Sequence, residues 1–180
     1  MYKLSLFAVP LLSLLMIPRS QAAENEAMKG IEKHPSGHDR IPIQVTKDLK
    51  IAYQVSDDKL KDCVNRALFY AKKLLDVYNR EGVPDSEIDL HLVFHGSGTD
   101  ALVDEKTRRR LEAKGGEKNP NLEIIEELTS RGVSIELCES SMEQRDVVSD
   151  DLVTGIATVR GAFPRLISLQ HLGYAYIKFE

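Results

Sequence analysis

What this chain lacks narrows it before anything it contains. Past residue 17 there is no apolar run approaching the length needed to cross a bilayer, so no ordinary membrane span is expected. There is no internal repeat and no coiled-coil heptad pattern. The Gly96-Ser97-Gly98 turn lacks the third glycine of a dinucleotide fingerprint, and no Gly-Lys-Ser/Thr nucleotide loop occurs. Positive charge is not in excess: the formal net charge is −4. An acidic chain is a poor candidate for nucleic acid. Cysteine is scarce, with two in 180 residues, and none stands beside the small residues near position 22. A lipid-anchored amino terminus is therefore not indicated.

Lys3 followed by an apolar stretch over residues 4–17, then Ser20-Gln21-Ala22, reads as a secretory signal peptide over residues 1–22, cut after Ala22 or Ala23. Losing Lys3 and Arg19 with it takes the formal charge from −4 to −6. The expected location is outside the cytoplasm, in a bacterial periplasm. Residues 23–46 are polar and broken by Pro35, Gly37 and Pro42, as in a leader or linker. His34 and His38 lie there without a helix to align them, so a solvated leader is the stronger reading and no metal site is expected.

Residues 47–180 alternate between strand and helix patterns. Strands are expected over 50–55, 88–95, 133–138, 155–159 and 174–179, each a short β-branched or aromatic run bounded by glycine or a capping residue. The clearest helical periodicity joins Leu60, Cys63, Val64, Ala67, Leu68, Ala71, Leu74, Leu75 and Tyr78, which places Cys63 on an apolar stripe as a buried thiol. Asn119-Pro120 opens another helix, Gly132 closes it, and Ala162 begins the last. A charged piece over 104–115 holds Arg108, Arg109 and Arg110, either a solvated face or an anion-attracting run. Strands and helices in alternation argue for a three-layer α/β/α domain with a five-stranded, mainly parallel sheet.

Candidate chemistry gathers at Cys138, the carboxyl end of the third strand, where ligands sit in open α/β sheets. Donors at the start of the following helix lower a thiol pKa; Glu136, Glu139 and Glu143 raise it, and the sign of the sum stays open. His95 ends its own strand as Cys138 does, and either partners the thiol or is structural. In an oxidising compartment a Cys63–Cys138 disulfide is a further alternative.

The passage from His95-Gly96 through Asn119-Pro120-Asn121 and Gly132-Val133 to Cys138, then Leu169-Gln170-His171-Leu172-Gly173-Tyr174-Ala175-Tyr176-Ile177, resembles the DsrE/DsrF-like sulfur-relay family. The resemblance covers about residues 51–179. It implies a compact α/β domain, assembly as homo-oligomers, and in some members a persulfide carried on the cysteine that corresponds to Cys138. Glu139 stands where several relatives have a small residue. The expectation is an exported sulfur carrier or sulfurtransferase-like protein using Cys138 and His95, needing no cofactor or metal, with a sulfur-donor or acceptor protein as partner. The alternative is a non-catalytic oligomeric binding module of the same fold.

Overall fold

In the computed structural model the described residues are 32–33, 37–116 and 118–180. The chain divides into two compact units at Gln44 and Val45. In the first, Glu32–Lys33 pairs antiparallel with Asp39–Arg40, a two-residue ribbon where a leader was expected. The expected signal peptide and His34 lie outside the described residues, and His38 is exposed. Among the described residues no helix is long and apolar enough to cross a membrane.

The second unit is built on five strands: β1 (Leu49–Val55), β2 (Ile88–Phe94), β3 (Ser134–Cys138), β4 (Ile156–Val159) and β5 (Ala175–Phe179). They form one sheet in the order β4-β3-β2-β1-β5, every pair parallel. The inner strands β1, β2 and β3 are nearly all buried, as expected for parallel strands covered on both faces. The outer strands β4 and β5 are mostly exposed. The connecting helices are α1 (Arg66–Arg80), α2 (Glu105–Arg110), α3 (Leu122–Ser130), α4 (Glu139–Gln144) and α5 (Ala162–His171).

Alternation along the strands divides the core in two. On one face Ile51, Tyr53, Val55, Leu90, Leu92, Phe94, Ile135 and Leu137 pack with Leu68, Ala71 and Leu75 of α1 and Ile125 and Leu128 of α3. On the other, Ala52, Val93 and Cys138 meet Ala162, Leu166 and Leu169 of α5, with Val159 and Tyr174 packed against them. This thinner layer also carries polar strand residues, among them buried Gln54 and Glu136.

Three local expectations are corrected. Cys63 is not on a helix: Leu60–Lys61 pairs antiparallel with Val64–Asn65, and Asp62 and Cys63 form the turn at φ +51° and +70°. The helix begins later because the Asn65 side chain accepts from the Ala67 N–H and caps it. Leu60, Cys63 and Val64 matched the helical spacing without belonging to it. Asn119 does not cap α3, which starts at Leu122; its side chain donates to the Ala101 and Val103 carbonyls and accepts from the Asn121 N–H, tying two loops together. Arg108 does not belong to a solvated run: it is 2 % exposed, and its guanidinium donates to the carbonyls of Asp100, Lys114 and Gly116.

Candidate functional site

Cys138 is the last residue of β3 and occupies the N-cap position of α4, so the chain turns from strand to helix at the sulfur itself. The turn aims the Ser140 and Ser141 N–H groups at Sγ, and the first residue of α5 adds the Ala162 N–H from across the sheet. The Ser141 hydroxyl completes the set, donating to sulfur while accepting from the Gly96 N–H at 3.0 Å. Burial pushes the thiol up, since the residue is 6 % exposed. The hydrogen bonds from Ser141, Ala162 and Ser140 outweigh burial and hold the thiol below its ordinary value.

Two of the three acidic neighbours have partners of their own. Glu136 is buried beside Arg165, which grips both carboxylate oxygens at 2.7 and 2.8 Å, and His91 and Ser134 also bond to it. Burial would raise its carboxyl, but the His91 and Arg165 hydrogen bonds prevail and hold it at about 2. Glu139 accepts from the Thr158 hydroxyl at 3.1 Å.

His95 follows β2 directly, one step beyond the Phe94–Leu137 register pair, and so lies beside Cys138 in the sheet order. Its ring is on the α5 side, 5.6 Å from the Phe163 ring, and Phe163 is 64 % exposed. Tyr176 of β5 donates to Gln54 Oε1, and Gln54 Nε2 donates to His95 Nε2 at 2.8 Å. That arrangement keeps the imidazole neutral with its proton on Nδ1. Burial, and then the charge of Lys178, lower its pKa in the same sense. The structure therefore brings both expected site residues to one end of the sheet, on one face.

Gln54, Tyr176, Arg165 and the Ala162 N–H were not singled out from the sequence. A usable signal existed for two members of this face, because Gln54 and Glu136 interrupt otherwise apolar strands, and a polar residue in a doubly covered strand needs a partner. The glycine-rich turn after β2 is not a phosphate cradle. Gly96 gives its N–H to Ser141 and Gly98 gives its own to the His95 carbonyl. A Cβ on Gly98 would stand 3.0 Å from the Val55 carbonyl oxygen, so glycine serves close packing there.

Both cysteines are free, Cys63 exposed and Cys138 buried. A cleft of about 630 Å³ opens elsewhere, at the amino ends of β1 and β2. Three of its carboxylates are already engaged: Asp85 by Arg131, Glu87 by the Asp48 N–H, and Asp89 by His91 and Tyr174. The chemistry favours the Cys138 end, where donors converge on one nucleophilic atom. Among the described residues no group of three or more His, Cys, Asp or Glu side chains could hold a metal ion.

A parallel α/β sheet with a hydrogen-bonded cysteine at a strand's carboxyl end defines a class of small thiol-bearing domains. Residues 50–179 match the model of the DsrE/DsrF-like family, and the chain belongs to that family, which is generally related to sulfur relay. No curated protein matches it. Among solved structures, protein MTH1491 of Methanobacterium thermoautotrophicum, described as of unknown function, is similar. It is 17 % identical with a TM-score of 0.56, over 73 % of this chain and 100 % of that one. The YchN protein of E. coli is 20 % identical with a TM-score of 0.51, over 73 % of this chain and 99 % of that one. At these identities the likeness extends to the fold.

Proposed function

We propose that this protein is a thiol-based sulfur carrier, sulfurtransferase-like in its chemistry, that holds a persulfide on Cys138. The observation that carries the reading is the place of Cys138 at the N-cap of α4 and packed against Ala162 at the start of α5, where N–H groups of Ser140, Ser141 and Ala162 and the Ser141 hydroxyl hold the thiol below its ordinary value. A thiol kept only for packing has no use for donors that favour its anion. In the step proposed, the Cys138 thiolate attacks the outer sulfur of a donor R–S–SH. A new Sγ–S bond forms, the donor's S–S bond breaks, and the thiolate R–S⁻ leaves with the bonding pair. His95, neutral with its proton on Nδ1, stands at the same end of the sheet to stabilise that leaving anion.

The apolar stretch at residues 4–17 and the small residues before Ala23 support export to the periplasm. Exposed Phe163, Ile167, Leu172, Tyr176 and Ile177 around α5 and β5 support assembly of several copies, with a sulfur donor or acceptor as the further partner. The second reading, a non-catalytic assembly module, draws on the 6 % exposure of Cys138.

The test is intact mass after incubation with inorganic polysulfide. In a Cys63→Ser background, which removes the exposed second thiol, the parent gains one reducible sulfur and the added Cys138→Ser change abolishes the gain. Equal gain in both proteins, or none in either, leaves the assembly reading standing.

A further inference from the structure

Helix α5 is held to the sheet by few apolar residues. Ala162, Leu166 and Leu169 face inward, while Phe163, Ile167 and Leu172 are exposed. Apolar contact is non-directional and does not by itself fix how far a helix slides along a sheet. A bidentate guanidinium–carboxylate pair does, because two parallel hydrogen bonds define both distance and angle. Such a pair joins Arg165 of α5 to Glu136 of β3, at 2.7 and 2.8 Å.

The spacing of the two tethers is what matters. Glu136 and Cys138 alternate onto the same face of β3, about 7 Å apart at ~3.3 Å per residue. Arg165 and Ala162 lie three residues apart on α5, about 4.5 Å along its axis at ~1.5 Å per residue. One end of this short rung is the ion pair; the other is the packing of Ala162 against Cys138, where the Ala162 N–H helps hold the thiol down. We propose that the Arg165–Glu136 pair is a positioning device for the Cys138 thiolate, setting the first turn of α5 so that the Ala162 N–H meets Sγ. The inference rests on the reading of Cys138 as the working thiol.

The other ionisable groups on this face include Lys50, Asp89, His91 and Tyr174 on the far side of Glu136, with His95, Tyr176 and Lys178 toward the cysteine end. Field and geometry make opposite predictions for Glu136. Deleting a negative charge near a thiol lowers its pKa; letting the Ala162 donor drift raises it.

The experiment uses Cys63→Ser protein so that Cys138 is the single thiol, and follows iodoacetamide alkylation against pH. The midpoint reports the thiol pKa, and the high-pH plateau reports access. Glu136→Leu raises the midpoint enough to cut the thiolate fraction at neutral pH about tenfold, the scale of one hydrogen bond to a charged group. Arg165→Met moves it the same way, and Arg165→Lys recovers part of the loss. A Glu136→Leu midpoint that falls or stays put overturns the proposal. If that variant does not fold, Glu136→Gln is read by the same signs. A Cys63→Ser parent whose midpoint equals that of the urea-unfolded chain overturns the carrier reading as well. A depressed parent midpoint with unmoved variants overturns only the positioning role.

Discussion

Replacing Ser141 with alanine removes one oxygen that serves two partners. The Ser141 hydroxyl donates to Cys138 Sγ and accepts the Gly96 N–H at 3.0 Å. A hydrogen bond to a charged group contributes roughly 1.5–3 kcal/mol, and one pKa unit corresponds to about 1.4 kcal/mol. Sulfur is a soft acceptor and three N–H donors remain, so the lower end applies. The Cys138 pKa rises by about 1 unit, and thiolate at neutral pH falls about tenfold. The orphaned Gly96 N–H separately costs about 1 kcal/mol of stability. The two effects are read independently, the first from the pH midpoint of alkylation in a Cys63→Ser background, the second from urea unfolding. A midpoint unchanged within about 0.3 unit, alongside the stability loss, would refute the claim that this hydroxyl supports the sulfur anion.

Acid unfolding tests the buried carboxylate. Glu136 has its folded pKa depressed to about 2, so its contribution is fully present above the unfolded value of 4.5 and is lost as pH falls from there toward 2. That loss amounts to about 3 kcal/mol and is absent in Glu136→Gln, measured by denaturant titration across that range. Arg108→Leu leaves the carbonyls of Asp100, Lys114 and Gly116 without their donor and costs about 3 kcal/mol, whereas exposed Lys106→Leu stays within about 0.5 kcal/mol, both by thermal unfolding. Native Cys63, at an exposed turn, reacts with a bulky maleimide well before Cys138, which peptide mapping resolves.

The sheet was legible because five strand patterns alternated with helix patterns, and the inner strands were largely apolar, which is how parallel strands under two layers read. The cysteine end was legible from position alone: Gly132 to Ser141 stops a helix, runs a strand and turns. The sign of the thiol shift was not, because beside the local donors of Ser140 and Ser141 it depends on groups brought from a distant part of the chain. The Ala162 N–H reaches Sγ from 24 residues away, and Arg165 neutralises Glu136 from 29. The error at Cys63 has a local cause. Three residues matched helical spacing, while the Asn65 cap that starts the helix left no periodic trace. Arg108 was misread for the opposite reason, since a run of like charges gives no hint of the three carbonyls waiting for one of them.

Cyanolysis of polysulfide-treated protein tests the central claim most directly, since cyanide removes the outer sulfur of a persulfide as thiocyanate and leaves the thiolate. Cys63→Ser protein, in which Cys138 is the single thiol, should release about one equivalent per chain, and the Cys63→Ser/Cys138→Ser double variant none. Thiocyanate from the double variant equal to that from Cys63→Ser, or none from Cys63→Ser, would contradict the account.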